Sequence, residues 1–83
     1  MIYGNKGLSY IALKRYQEAV EVFSKAIELQ GDYAFAYYNR GVAYFFLKDL
    51  ENSKKDMEEA IRLQPDDDFY ISEYRKCFGN NLK

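Results

Sequence analysis

Residues 32–65 read DYAFAYYNRGVAYFFLKDLENSKKDMEEAIRLQP, a stretch punctuated as two helices joined by a short turn. Asp32 is a good helix-capping residue, and after it Tyr37, Gly41, Tyr44 and Leu47 recur at helical spacing, which predicts a helix with one apolar face. Lys48-Asp49 breaks the pattern, with Asp49 available to cap a second helix. Along that second helix Leu50, Ser53, Met57, Ala60, Ile61 and Leu63 trace an apolar stripe. Pro65 closes the unit, because it lacks a backbone N–H and restricts the residue before it.

The residues upstream say the same thing again. Shifting the chain against itself by 34 positions aligns Tyr3 with Tyr37, Asn5 with Asn39, Gly7 with Gly41 and Tyr10 with Tyr44. The same shift aligns Leu13-Lys14 with Leu47-Lys48, Ala26-Ile27 with Ala60-Ile61, Leu29-Gln30 with Leu63-Gln64, and Asp32 with Asp66. These make eleven identities over the 33 pairs that begin at residues 1 to 33. The first unit builds its second helix from Tyr16, Ala19, Phe23, Ala26, Ile27 and Leu29, and Gly31 stands where Pro65 stands later. Gly7 and Gly41 fall where a side chain would hold the facing helix away. Ala19, Ala26 and Ala60 are the matching small positions opposite, and Tyr10, Tyr44 and Phe23 fill the gap between helices. Gly7, Tyr10, Ala19, Ala26, Gly41, Tyr44, Ala60 and Pro65 are therefore assigned to structure.

Taken together, Tyr37, Gly41, Tyr44, Leu50, Ser53, Met57, Ala60 and Pro65, with Tyr3, Gly7, Tyr10, Tyr16, Ala19, Phe23 and Ala26, resemble the tetratricopeptide-repeat family. Its 34-residue unit sets aromatic, Leu-Gly, Tyr, Ala, Phe, Ala and Pro at fixed offsets. The departures are Tyr for the family's Trp, Ser53 and Met57 for its Ala and Phe, and Lys6 and Arg40 where Leu is common. Arg40 is expected to pair with Asp56 on the facing helix, whereas Lys6 faces Val22 and lacks such a partner. The resemblance implies an all-α fold, in which antiparallel helix-turn-helix hairpins stack as a short right-handed α-solenoid of five helices.

The expected division is one repeat over 1–31, a second over 32–65, a C-terminal capping helix over 66–79 and a tail over 80–83. Asp66, Asp67 and Asp68 at the start of the third segment, and Arg75 and Lys76 in its last turn, suit a helix dipole. Gly79 is a stop, and Ile71, Tyr74 and Phe78 supply an apolar face to lay on the second hairpin. Arg75 stands where Gly7 and Gly41 stood and would block a close partner helix. Arrays of this type want about three repeats for stability. The chain is thus expected to be a segment of a longer array, or to have its first helix covered by a second copy.

The same resemblance implies a role. In this family the first helices of successive hairpins line a concave groove, which binds a peptide or a partner protein. Carried over position by position, that groove comprises Asn5, Leu8, Phe35, Tyr38, Asn39, Val42, Phe45 and Phe69, with Gly4, Ile11, Ser72, Glu73 and Lys76 beside them. Nine Tyr and six Phe are many rings for a core of this size, and exposed rings mark partner sites or self-association. Asn5 and Asn39 are suited to hydrogen-bonding a peptide backbone of any sequence. Some members grip acidic chaperone tails with a clamp of Lys, Asn, Asn, Lys and Arg. Here those positions hold Gly4, Leu8, Asn39, Phe69 and Glu73, so only Asn39 matches and no chaperone-tail binding of that kind is expected. The alternative is a structural element for homo-oligomer formation, or a non-catalytic segment of a longer scaffold or co-chaperone.

Composition sets the outer limits. The 83 residues are 48% hydrophobic and 30% charged, with a formal net charge of -1, the mix of a folded domain without a basic surface for nucleic acid. The chain has one cysteine, Cys77, and no histidine, so it lacks a disulfide framework, a cysteine zinc site, an imidazole metal ligand and the usual catalytic triads. Gly4-Asn5-Lys6-Gly7 does not have phosphate-loop spacing. No enzyme activity, cofactor or metal is expected. The most apolar stretch, residues 33–47, contains Asn39 and Arg40 and falls short of the ~20 residues a membrane span needs. A soluble, cytoplasmic protein with no membrane partner is the expectation.

Overall fold

The computed structural model describes residues 2–79. The tail expected over 80–83 lies outside the described residues, as does the side chain of Tyr3. Five helices make up the described chain: α1 (Ile2–Ala12), α2 (Tyr16–Leu29), α3 (Ala34–Phe46), α4 (Leu50–Leu63) and α5 (Asp68–Phe78). Each of α1 and α3 packs on the helix that follows it, α3 also packs on α2, and α5 packs on α4. The short turns make successive helices antiparallel neighbours, as in other helical hairpins.

Both turns inside the hairpins have the same construction. Lys14 and Lys48 adopt the left-handed conformation, with φ of 61° and 66°. Beyond them the Arg15 N–H donates to the Tyr10 carbonyl at 2.8 Å, and the Asp49 N–H to the Tyr44 carbonyl at 2.9 Å. This is the helix-ending turn usually built on glycine, here built on lysine. Asp49 caps α4 by accepting from the Asn52 N–H at 3.3 Å, and Asp67 caps α5 by accepting from the Phe69 N–H at 3.0 Å. Two expected starts move. Asp32 does not cap α3; Tyr33 is the cap residue and makes no side-chain cap bond. The Tyr33 ring stacks on Phe35 at 5.7 Å and packs against the core of the first hairpin, so the backbone turns into the helix one residue later. Similarly, α5 begins at Asp68 rather than 66.

Small residues set the distance between helices. A Cβ placed on Gly7 would overlap the ring of Phe23, and one on Gly41 would lie 3.0 Å from Met57 Cγ and 3.1 Å from the Ser53 carbonyl oxygen. Ser53, where the repeat pattern wants alanine, uses its hydroxyl to donate to the Gly41 carbonyl at 2.7 Å. The first cluster of the core joins Ala19, Val20, Phe23 and Ala26 of α2 to Ala36 and Ala43 of α3, with Tyr10 and Tyr44 packed against it. A second cluster joins Ala34, Ala60 and Tyr70. Fully burying a side chain of the size of Phe23 or Met57 stabilises the fold by about 1.5–3 kcal/mol.

Some positions of the expected apolar stripes are left exposed or only half-buried. Leu29 and Leu50, the last residue of α2 and the first of α4, are exposed, and so is Leu47, which follows the end of α3 at Phe46. Ile71 is only half-buried, and α5 instead buries Tyr70 and Tyr74. By the 34-residue shift Ile71 and Arg75 correspond to Tyr37 and Gly41, the side that α3 turns to α4. In α5 that side borders an open hollow of about 400 Å³ along Asp68, Ile71, Ser72, Arg75 and Lys76.

The expected partnership of Arg40 and Asp56 is present and forked. Arg40 Nε donates to Asp56 Oδ2 at 2.7 Å and Nη2 to Oδ1 at 2.8 Å, while Nη1 donates to Ser24 Oγ at 3.1 Å. The guanidinium also lies over the rings of Tyr37 and Tyr44 at 5.6 and 5.9 Å. One arginine thereby ties α2, α3 and α4 together, and its pKa is raised first by the Asp56 hydrogen bonds. One period later, Tyr74 of α5 donates to Glu58 of α4 at 2.8 Å, the same pair of positions as Arg40 and Ser24. Among the described residues no buried side-chain nitrogen or oxygen lacks a hydrogen-bond partner.

Candidate functional site

With its glycine and alanines turned to α2 and α4, α3 has one remaining side, and there Tyr38, Val42 and Phe45 recur at intervals of four and three residues. α5 approaches that side with Glu73 and Cys77, one turn apart. Between them lies a cavity of about 150 Å³ lined by Tyr38, Val42, Phe45, Phe46, Met57, Glu73 and Cys77. Rings brace its rim. Tyr38 meets Phe69 and Tyr70, each at 5.3 Å between centroids, and Phe45 meets Phe46 and Phe78, each at 6.0 Å.

The polar edge of the cavity is a short chain of hydrogen bonds. The Tyr38 hydroxyl donates to Glu73 Oε1 at 3.3 Å, and Lys76 Nζ donates to Glu73 Oε2 at 2.9 Å. The Lys76 hydrogen bond holds the Glu73 carboxyl below the usual carboxylate range, so it is ionised at neutral pH. Burial, and then the neighbouring Glu73 charge, push the Tyr38 phenol well up. Burial raises the Cys77 thiol as well, so it lines the cavity as a small neutral group rather than a thiolate nucleophile. Tyr74, fully buried, is pushed up to about 12 by burial and by its bond to Glu58. An apolar cavity with one ionised carboxylate at its edge can hold a side chain; it offers no paired acid and base. Among the described residues no group of three or more His, Cys, Asp or Glu is placed to hold a metal ion, and no helix is long and apolar enough to cross a membrane.

The structure brings some of the sequence-derived groove residues together and separates others. Tyr38, Val42 and Phe45 share the cavity. Phe69 sits at its outer rim, 54% exposed and edge-on to Tyr38. Asn5 and Leu8 are exposed on α1, away from the cavity lining. Phe35 turns inward, edge-on to Phe23 at 6.3 Å, into space left by Gly4, where a Cβ would lie 3.3 Å from the Phe35 ring. Asn39 is not on an open wall. It is 6% exposed, and its amide donates to the Phe35 carbonyl of its own helix at 2.9 Å. Cys77 and Met57 line the cavity although sequence reasoning put Met57 in an apolar stripe and gave Cys77 no place in the groove; their signal was the helical spacing from Glu73 and the position opposite Gly41.

A family model described as TPR repeat matches residues 7–48, and another described as tetratricopeptide repeat matches residues 36–67. Comparison with curated proteins finds no match.

Proposed function

Because this chain belongs to the tetratricopeptide-repeat family, whose repeats generally mediate protein–protein interaction, we propose that it binds a peptide segment of a partner protein on the side formed by α1, α3 and α5. In this reading α1–α2 and α3–α4 are the two repeats, over 1–31 and 32–65, and α5 is a capping helix that completes one wall of the groove. The observation that carries it is the cavity between α3 and α5. Its volume of about 150 Å³ is well under the roughly 300–1,000 Å³ of small-molecule sites, and it is the size for one apolar side chain of a larger partner. Side chains seated in such pockets, with water excluded by a surrounding rim, dominate binding energy. Phe69 and Tyr38 form that rim here.

The experiment is to fill the cavity. Peptides selected by display on the wild-type chain are titrated calorimetrically against wild type and Cys77→Leu, with thermal unfolding as the control for folding. The larger side chain should weaken binding about tenfold or more, the scale of an anchoring residue, while the helical content stays unchanged. A folded Cys77→Leu variant that binds these peptides as tightly as wild type would remove the cavity from the reading.

A further inference from the structure

Resting on that reading, we infer that the α3–α5 cavity selects an aliphatic side chain carried next to a cation, so that the partner segment presents a lysine or arginine beside its apolar anchor. Glu73 is the only ionised group among the residues that line the cavity; the other six are apolar or neutral. A carboxylate has about four lone-pair sites, and Glu73 has two protein donors, one of them the long 3.3 Å bond from Tyr38. The other donor, Lys76, does not line the cavity, and its side chain is 69% exposed, so it can exchange places with an incoming cation at little cost.

The neighbouring seam shows that a charge here is not a requirement of the fold. One period earlier, where α3 faces α1, the position of Glu73 is held by Asn39, which is neutral, buried and bonded within its own helix. An acidic partner side chain entering beside Glu73 meets a like charge at the edge of a low-dielectric pocket, which rejects it. This agrees in sign with the mismatch between these positions and the clamp that holds acidic tails.

Three small probes with one branched chain and different heads separate the cavity from its charge. Isopentylammonium, isopentyl alcohol and isovalerate are titrated separately into the methyl-labelled chain, reading the Val42 methyl resonances. The ammonium should bind about two- to fivefold more tightly than the alcohol, the range of a part-exposed ion pair, and isovalerate most weakly. In Glu73→Gln the ammonium and alcohol should bind alike, whereas Lys76→Gln should strengthen the ammonium. Equal binding of all three probes to wild type, or an ammonium preference that survives Glu73→Gln, would overturn the charge selection and leave the cavity reading standing. If none of the three shifts Val42, both fall.

Discussion

Between α1 and α2 the group that occupies a glycine's empty side is the ring of Phe23, whereas between α3 and α4 it is Met57 with the backbone of Ser53. The first hairpin is closed by apolar contact: Lys6 is exposed and lies one period before Arg40, and its counterpart to Asp56 is Val22. The second hairpin carries a forked ion pair in the same register, with the Arg40 and Asp56 side chains only 20% and 8% exposed, and a serine hydroxyl bonded to Gly41. Two units with one template thus share a glycine facing the second helix and the same turn geometry, but not the polarity of what fills the space between helices. The template dictates where a residue must be small; it leaves open whether its neighbours are greasy or charged, provided every buried polar group finds a partner.

The largest effect should come from breaking the ion pair that only the second hairpin has. Asp56→Leu leaves the Arg40 guanidinium half-buried without its carboxylate, and stability to urea should fall by about 2–4 kcal/mol. Arg40→Met alone should cost a similar amount, since it strands Asp56. The double variant, two apolar residues of similar size, should return to within about 1 kcal/mol of wild type. Additive losses would show that the two residues do not act as a pair, and the contrast between hairpins would lose its basis.

Adding one methyl group tests the apolar hairpin. Gly7→Ala forces the buried Phe23 ring to shift, an overpacking cost of about 1–3 kcal/mol set against about 1 kcal/mol gained in helix propensity, so a net loss in melting temperature is expected. Gly41→Ala meets its neighbours at 3.0 to 3.3 Å, a milder crowding that the propensity gain should nearly cancel. Equal losses at both glycines would mean that Phe23 and Met57 yield equally. The smallest change should come from the turns, which do not differ. Lys14→Gly and Lys48→Gly each relieve a left-handed residue and should each raise stability by at most about 1 kcal/mol. A gain in one hairpin alone would reveal a difference between the turns.

Much of the packing was legible in the residues themselves. A 34-residue shift is also a map of contacts, because each unit repeats its neighbour's packing. Sequence reasoning expected small alanines opposite the glycines, where the structure has Phe23 and Met57, and it paired Arg40 with Asp56 on the facing helix. Applied once more to Arg40 and Ser24, the shift leads to Tyr74 and Glu58, a bond between α4 and α5 that sequence reasoning passed over. Helix ends were harder to read: Asp32 looked like a cap, but Tyr33 takes that place with its ring stacked on Phe35, and Leu29, Leu47 and Leu50, at or just past helix ends, are exposed. The groove was legible only in part. Which rings stay outside depends on volumes across a seam: Gly4 admits Phe35 to the interior, whereas Cys77 opposite Val42 and Phe45 leaves a cavity. No periodicity encodes that difference.

A partner segment seated in the α3–α5 cavity would leave a local footprint on these helices. That footprint can be mapped with a display-selected peptide titrated into the 15N- and methyl-labelled chain and followed by NMR. The largest shifts should fall at Tyr38, Val42, Phe45, Glu73 and Cys77, with Lys25, Glu51 and Lys55 on the outer helices nearly unmoved. Shifts concentrated on α2 and α4, with Val42 and Cys77 unaffected, would contradict it.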